Sequence, residues 1–354
     1  MRPVETRVLV VDPDKPDVAA IRYAARILQD GGLVAFPTET VYGLGGDATN
    51  PRAAMRIFEA KGRPPDNPLI VHIARREDLW LVARDVPQAA QDLVERFWPG
   101  PLTMVLPRTG MVPDAVTAGL DTVAVRMPDH GIALALIAEA GVPVAAPSAN
   151  TSGKPSPTTA DHVIQDLAGR IDLVIDGGPT PVGVESTVID MTSTPPVILR
   201  PGGATREDIS EVLGEVMVSP VALGTKMPLS EGVPRSPGMK YTHYSPDAEV
   251  RLFEGDPRRV VPRLQAEAKG LIAMGKRVGI MCTDETKGAY QGLSVLVKSA
   301  GSRRDLSTVA SRVFALLREF DRDGADIILV EGVPETGLGF AIMNRLRKAA
   351  SITR

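Results

Sequence analysis

Two short polar motifs stand where apolar segments end, and their residue types suit the binding of a phosphorylated ligand. The tripeptide Lys-Gly-Arg at 61–63 closes a segment with helical periodicity, and Ser-Ala-Asn at 148–150 follows an apolar run typical of a buried strand. Lysine and arginine can neutralise phosphate charge, and hydroxyl and amide groups can donate hydrogen bonds to it. The two motifs together predict a nucleotide pocket.

A purely structural role for Lys61 and Arg63 is the alternative. Cations at a helix C-terminus face the helix dipole favourably, an effect of about 0.3 to 1 kcal/mol. The run Arg-Pro-Pro-Asp-Asn-Pro at 63–68, however, contains three prolines. Prolines restrict the backbone, so less conformational entropy would be lost when these cations bind an anion. The proline-rich context therefore favours anion binding.

Polar side chains also lie on, or at the ends of, other apolar runs. Arg126 ends the run at 122–126 and Arg200 ends the run at 197–200; either arginine suits a carboxylate or phosphate, and a structural charge is an equal alternative. His72 lies on an apolar strand, where a histidine is more often a satisfied core residue than a ligand. Ser148 and Asn150 follow a strand, and open α/β sheets bind ligands beyond the carboxyl ends of strands. A polar turn is the alternative there.

Two common nucleotide motifs do not account for the sequence. We find no Gly-x-x-x-x-Gly-Lys-Ser/Thr phosphate loop. The glycine-rich run at 43–48 fits the dinucleotide fingerprint loosely, but Pro-Thr-Glu-Thr at 37–40 intervenes, and no acidic residue ends the next strand to hold a ribose. The run is interpreted instead as a glycine-rich turn that allows close backbone approach.

Strand-like and helical segments alternate along the chain, which predicts an α/β layered sheet. A helix is predicted from Asn50, a capping side chain before Pro51, to Lys61, with Gly62 beyond its end. We predict a catalytic domain at 1–218, a Pro-, Gly- and Ser-rich linker at 219–246 and a second, smaller α/β domain at 247–354. One helix is predicted at 307–320 in that second domain.

The composition argues against several classes of protein. The 354 residues suit about two domains, and the formal charge of −3 argues against a dedicated nucleic-acid coat. A single cysteine, Cys282, gives no disulfide framework and no cysteine metal cluster. We find neither a signal peptide nor a membrane-length apolar run, and we therefore expect a soluble, cytoplasmic protein without a membrane partner.

These motifs resemble those of the YrdC-like threonylcarbamoyl-adenylate synthases. The motifs at 61–63 and 148–150 are accompanied by Phe-Pro-Thr-Glu-Thr-Val-Tyr-Gly-Leu at 36–44, and Ser-Pro-Gly-Met-Lys-Tyr-Thr-His-Tyr at 236–244 is similar to the linker of the long, two-domain form. The resemblance extends over essentially the whole chain, with the four motifs in the family's order. It implies a YrdC-like twisted mixed sheet with helices, followed by a smaller C-terminal Rossmann-like α/β domain.

The resemblance implies a nucleotidyltransferase that converts L-threonine, bicarbonate and ATP to L-threonylcarbamoyl-adenylate and pyrophosphate. The product would pass to a downstream tRNA threonylcarbamoyl transferase, for the N6-threonylcarbamoyladenosine modification beside the anticodon, with at most a weak tRNA contact. The threonine amine would capture carbon dioxide as a carbamate, and a carbamate oxygen would attack the α-phosphate. Mg²⁺ would be carried by ATP and would need no protein cage.

The same resemblance assigns individual residues. Lys61 and Arg63 would stabilise charge during the reaction. The threonine pocket would contain Thr38, His72, Arg126, Ala146 and Ser186, with Arg126 holding the carboxylate. The nucleotide side would contain Lys61, Arg63, Thr122, Ser148, Asn150, Ser156, Arg200 and Tyr241. His130 and His162 are interpreted as structural or solvated.

Three further hypotheses concern the linker and other function classes. Lys240, Tyr241, His243 and Tyr244 suggest a lid that shields the labile adenylate from water. A nonenzymatic tRNA- or double-stranded-RNA-binding protein is the alternative function, although the acidic charge balance is against it. A carbamoyl-transfer enzyme of the hydrogenase-maturation type would have cysteine-rich zinc fingers, and the single cysteine argues against that class.

Overall fold

A computed structural model of the chain describes residues 4–223 and 244–353. The chain divides into two compact units, whose segments are Met1–Ser152, Ser156–Pro181 and Glu185–Tyr241 in the first, and Gly153–Pro155, Val182–Val184 and Thr242–Arg354 in the second. Most of the linker predicted at 219–246, including Tyr241, lies outside the described residues. The domain boundaries and the lid therefore stay predictions.

The first unit contains one mixed sheet of eleven strands, flanked by helices. The strands are β1 Arg7–Val10, β2 Val34–Pro37, β3 Tyr42–Asp47, β4 Ile70–His72, β5 Leu102–Pro107, β6 Thr122–Arg126, β7 Val144–Ala145, β8 Leu173–Asp176, β9 Thr187–Asp190, β10 Val197–Arg200 and β11 Met217–Val218. Their spatial order is β1-β8-β2-β3-β7-β4-β6-β5-β9-β10-β11. Parallel and antiparallel pairs alternate irregularly along this order, as expected for a mixed sheet.

Helices of the first unit bury their apolar faces against this sheet. They are α1 Val18–Gln29, α2 Pro51–Lys61, α3 Leu79–Val82, α4 Gln88–Phe97, α5 Asp114–Thr117, α6 Gly131–Ala140, α7 Ala160–Leu167 and α8 Arg206–Leu213. One core cluster joins α2 and α4 to several strands through Ile57, Phe58 and Leu93, and another joins α1 and α6 through Leu28 and Leu136. Large apolar side chains of these two clusters thus fix the strands that present the site.

Helix α2 follows the capping signals of its sequence closely. The Asn50 side chain accepts hydrogen bonds from the backbone N–H groups of Arg52 and Ala53, and Pro51 occupies the first turn. The helix ends at Gly62, whose φ of 62° is left-handed, a conformation that glycine adopts without steric cost. The predicted helix is confirmed, and it delivers Lys61 at its last position.

The glycine-rich run at 43–48 is the clearest correction in the first unit. Most of it belongs to strand β3, so the predicted turn is wrong. A Cβ atom at Gly45 would lie 2.7 Å from the Phe36 ring and 2.9 Å from a methyl group of Val144. The glycines therefore allow β3 to lie beside bulky neighbours on both sides. The sequence predicted this close backbone approach, but assigned it to a turn and not to a strand.

The second unit has a parallel sheet with helices. Its strands are β12 Glu249–Phe253, β13 Val278–Cys282, β14 Leu296–Ser299, β15 Ile327–Glu331 and β16 Ile352–Thr353, and its helices are α9 Pro257–Ala273, α10 Leu306–Ala310, α11 Val313–Arg322 and α12 Leu338–Ala349. The strand order is β14-β13-β15-β12-β16, and the pairs are parallel. This arrangement confirms the predicted smaller α/β domain.

The single helix predicted at 307–320 is wrong, because the structure divides that segment into α10 and α11. Ser311 lies at the break, and its hydroxyl donates to the carbonyl oxygen of Thr308 at 3.0 Å. Serine hydroxyls compete in this way with the backbone hydrogen bonds of a helix. The hydrophobic periodicity continues across the break, so periodicity alone gave no warning of it.

Candidate active site

The Lys-Gly-Arg motif at 61–63 and the Ser-Ala-Asn motif at 148–150 are in direct contact. Lys61 is buried at the end of α2, and its ammonium group donates to the carbonyl oxygens of Ser148 at 2.5 Å and Asn150 at 2.6 Å. The Ser148 hydroxyl in turn donates to Oδ1 of Asn150 at 2.6 Å. An isolated β-bridge between Gly43 and Ser148 ties the same loop to β3. One buried ammonium group therefore fixes the loop that carries the hydroxyl and amide.

Arg63 is also buried, and it anchors the proline-rich segment to which it belongs. Its Nη2 atom donates to the carbonyl oxygens of Asn67 at 3.0 Å and Pro68 at 3.2 Å. Its guanidinium carbon lies 5.6 Å from the centroid of the Phe58 ring, within cation–π range. These contacts hold a full positive charge in one position near the end of α2.

Arg126 and His72 lie side by side at the ends of neighbouring parallel strands. The register of β4 and β6 pairs His72 with Arg126, and both side chains are buried. Burial, reinforced by the charge of Arg126, lowers the pKa of His72 from 6.5 to about 3. The imidazole is therefore neutral at physiological pH, which leaves Arg126 as the cation of this pair.

A tight turn places an acidic side chain against Arg126. The Thr38 hydroxyl donates to the carbonyl oxygen of Val41 at 2.7 Å and accepts from the backbone N–H groups of Thr40 and Val41. This turn carries Glu39, whose Oε1 lies 2.7 Å from Nη2 of Arg126. Thr38 thus shapes the turn, and Glu39 brings a buried negative charge to the predicted carboxylate anchor.

Ser186 and Arg200 form a second polar group. Ser186 lies directly before β9, and Arg200 is the last residue of β10. Arg200 donates through Nε and Nη2 to the Ser186 carbonyl oxygen at 3.1 and 2.9 Å, and through Nη2 to its hydroxyl at 3.1 Å. The hydroxyls of Ser186 and Thr103 lie 2.7 Å apart. Ser186 was assigned to the threonine side and Arg200 to the nucleotide side, so this contact joins the two predicted groups.

Ser156 joins the same region through an acidic residue. Its hydroxyl donates to Oε1 of Glu185 at 2.6 Å, and both residues are buried. The backbone here is packed closely, because a Cβ atom at Gly202 would lie 2.2 Å from the Glu185 carbonyl oxygen. The loop after Arg200 is therefore pressed directly against the segment that contains Ser186.

The remaining predicted residues are less closely associated. Ala146 is buried and donates its backbone N–H to the carbonyl oxygen of Ile70 at 2.8 Å, beside the strand that carries His72. Thr122 is half-buried and begins β6, at the opposite end of that strand from Arg126, where it pairs with Pro107. Thr122 is therefore not brought together with Arg126, and its assignment stays a prediction, as does that of Tyr241.

Among the side chains that sequence reasoning missed, Glu39, Thr103 and Glu185 contact predicted site residues. Glu39 and Glu185 directly neighbour Thr38 and Ser186 in the chain, and both acids are 6% exposed. Acidic residues next to apolar strands were a usable signal, because carboxylates are rarely buried without a partner. Thr103 lies inside an apolar strand and gave no comparable signal.

Comparison with known proteins decides the family. Residues 26–202 match the Sua5–YciO–YrdC family, described as "Telomere recombination", and residues 204–351 match "Threonylcarbamoyl-AMP synthase, C-terminal domain". The threonylcarbamoyl-AMP synthase of Pyrococcus abyssi is 51% identical over 93% of this chain and 94% of its own length. That of Bacillus subtilis is 52% identical, over 93% and 92% respectively.

The chain belongs to the threonylcarbamoyl-AMP synthase family. The Schizosaccharomyces pombe member is 42% identical over 98% of this chain and 91% of its own length. The crystal structure of P. abyssi Sua5 complexed with L-threonine superimposes with a TM-score of 0.92 and 48% identity, covering 98% of this chain and 99% of that one. Membership at this level confirms the predicted enzyme class, a transferase, and the predicted two-part fold.

Neither a membrane-spanning helix nor a cluster of metal ligands is present among the described residues. Over 4–223 and 244–353, none of the helices combines the length and the apolar character that a bilayer crossing requires. Within the same ranges, no group of three or more His, Cys, Asp and Glu side chains is placed to hold a metal ion. The lysine, arginine, hydroxyl and amide groups of the site suit anionic ligands.

Proposed function

We propose that this enzyme makes L-threonylcarbamoyl-adenylate from L-threonine, bicarbonate and ATP, with release of pyrophosphate. The observation that carries the proposal is the direct contact of Lys61 with Ser148 and Asn150, close in the chain to Arg63, because it concentrates buried positive charge and phosphate-binding donors. The similarity to a synthase crystallised with L-threonine, at a TM-score of 0.92, supports the amino-acid substrate.

Arg126 is the proposed anchor for the threonine carboxylate. Its guanidinium group is buried at the end of a strand, and charge-assisted contacts with a carboxylate are strong in such surroundings. Thr38, His72, Ala146 and Ser186 complete the proposed threonine pocket. Neutral His72 adds no second positive charge, so the site matches the single carboxylate of the amino acid.

Lys61, Arg63 and Arg200 are the proposed partners of the nucleotide phosphates, with Ser148, Asn150, Ser156, Thr122 and Tyr241 on the same nucleotide side. A carbamate oxygen attacks the α-phosphate, and pyrophosphate leaves. Fixed positive charges lower the barrier because negative charge on the phosphate oxygens and the departing pyrophosphate is then stabilised without reorganisation. Mg²⁺ belongs to the substrate here, since the ion travels with the ATP phosphates.

The product is proposed to serve the N6-threonylcarbamoyladenosine modification of tRNA beside the anticodon, through a downstream tRNA threonylcarbamoyl transferase. The support is the family to which the chain belongs. A weak tRNA contact and a cytoplasmic location are parts of the same proposal. The formal charge of −3 is consistent with a tRNA contact that is weak.

Pyrophosphate release tests the proposal. Purified enzyme is incubated with ATP and Mg²⁺, and threonine and bicarbonate are omitted in turn. Release that requires both supports the synthase. Release without either, or tight and salt-dependent tRNA binding with no release under any condition, would contradict it and favour an ATPase or an RNA-binding protein.

A further inference from the structure

The pair formed by Glu39 and Arg126 is buried but poorly hydrogen-bonded. Their side chains are only 7% and 4% exposed, and the two charged atoms are 2.7 Å apart. Nevertheless, in the part of the chain that the structure describes, neither carboxylate oxygen of Glu39 nor Nη2 of Arg126 has a hydrogen bond of acceptable geometry. Burying charged groups without hydrogen bonds costs free energy, so both side chains would gain from hydrogen bonds to a ligand.

Within the described part of the chain, the neighbouring His130 also has a buried polar atom without a hydrogen bond. Among the described residues, Nδ1 of His130 is buried without a hydrogen-bond partner. Burial lowers the pKa of His130, and the charges of Glu39 and Asp129 oppose that shift. His72 is neutral, so among the described residues Arg126 is the cation in contact with Glu39.

An α-amino acid carries an ammonium group and a carboxylate on one carbon atom. Binding that zwitterion requires a cation and an anion placed next to each other, and Arg126 and Glu39 supply them on separate elements, β6 and the turn after β2. The Thr38 turn holds Glu39 in position through three hydrogen bonds. The two protein charges face one another across 2.7 Å.

We propose that Glu39 binds the ammonium group of the amino-acid substrate and accepts its proton during carbamate formation. The inference rests on the proposed function, because it assigns a role within the same threonine site. An ammonium group has no lone pair and cannot attack carbon, so the first step of the reaction requires a proton acceptor. Glu39 is the buried carboxylate adjacent to the carboxylate anchor.

The step balances without any further reactant. The ammonium group of threonine gives one proton to the Glu39 carboxylate, and the free amine forms a new C–N bond with the carbon supplied by bicarbonate. Bicarbonate loses one oxygen as water, which takes up the second proton released from nitrogen. The products are a carbamate, water and protonated Glu39, and the total charge is unchanged.

The test compares threonine with the analogue in which a hydroxyl group replaces the amino group. Wild-type enzyme, Glu39→Gln and the exposed control Glu77→Gln are titrated with each compound, and ATP binding reports on the fold. We expect Glu39→Gln to weaken threonine binding at least about 10-fold, to leave analogue binding within about twofold, and to lower the rate by about 100-fold or more. Equal weakening of both compounds would mean that Glu39 only positions Arg126, and would overturn the proposal.

A pH profile gives a second readout. Loss of the proton acceptor should be partly rescued as pH rises towards the pKa of the free amine, because more threonine is then already deprotonated. The ratio of wild-type to Glu39→Gln rates should therefore fall with rising pH, and Glu39→Asp should recover part of the rate. A constant ratio across the profile would overturn the catalytic role. If wild-type enzyme releases pyrophosphate without threonine, the proposed function itself fails, whatever Glu39→Gln does.

Discussion

Lys61 on α2 and Asn150 on the loop after β7 are joined by a buried hydrogen bond of 2.6 Å from the ammonium group to a backbone carbonyl oxygen. The contact unites two motifs that are far apart in the sequence. It shows that the lysine does more than provide charge, because it also determines where the serine and asparagine side chains lie.

Removal of this lysine should affect both stability and activity. In Lys61→Met, the carbonyl oxygens of Ser148 and Asn150 lose a buried donor, and we expect a loss of roughly 1 to 3 kcal/mol in the free energy of unfolding. Pyrophosphate release should fall by about 100-fold or more. Urea titration and the release assay measure the two effects, and exposed Lys276→Met is the matched control. Wild-type activity in Lys61→Met would contradict the assignment.

Arg126→Gln should raise the KM for threonine by about 30-fold or more and leave the KM for ATP nearly unchanged, because a buried charged contact contributes roughly 2 to 5 kcal/mol. The variant also leaves Glu39 buried beside no cation, which should lower stability. The double variant Arg126→Gln/Glu39→Gln should recover stability but not threonine binding. Steady-state kinetics and thermal unfolding test both statements, with exposed Arg96→Gln as the control. Equal changes in both KM values would be inconsistent with a threonine anchor.

His72 should make the protein less stable as the pH falls. Its pKa of about 3 in the folded protein is below the ordinary value of 6.5, so between these values the unfolded chain binds a proton that the folded protein does not. Stability should therefore decline as pH decreases from 6.5 towards 3, at up to about 1.4 kcal/mol per pH unit from this one group. Replacing it in His72→Gln should flatten the decline. The free energy of unfolding of both proteins, measured across that pH range, tests this prediction. Parallel curves for the two proteins would refute the assigned pKa shift.

Gly202→Ala should be strongly destabilising. The added Cβ atom would lie 2.2 to 2.3 Å from backbone atoms of Glu185, Ser186 and Thr187, none of which can move as a flexible side chain could. We expect a loss of about 2 kcal/mol or more in the free energy of unfolding, together with weaker threonine binding, because the displaced segment carries Ser186. Gly110→Ala is the matched control, since a Cβ there meets no atom within 4 Å. Similar melting temperatures for the two variants would argue against the close packing.

The sequence predicted those parts of the fold and site that depend on local signals. The capping residues of α2 were sufficient to define that helix, and the motif residues around Lys61 and Ser148 were found because cations, hydroxyls and amides stand out at the ends of apolar runs. Arg126 was found in the same way. These signals lie within a few residues of the feature that they predict.

The parts that were missed depend on contacts between distant segments. Whether the glycines at 43–48 form a turn or a strand depends on Phe36 and Val144, which surround Gly45 in space but not in the sequence. The contact between Glu39 and Arg126 depends on how the turn after β2 meets the end of β6. The division of the helix at Ser311 likewise had no signature in the hydrophobic pattern. Tertiary packing, rather than local propensity, decides each of these cases.

The most direct test of the account follows the carbon atom of bicarbonate into a nucleotide. The enzyme is supplied with ATP, L-threonine and ¹³C-bicarbonate, and the nucleotide products are separated rapidly and analysed by mass spectrometry. We expect a product that contains AMP, threonine and the labelled carbon together, formed in equal amount with pyrophosphate. AMP or ADP without threonine and without the label, as the direct nucleotide product, would contradict it.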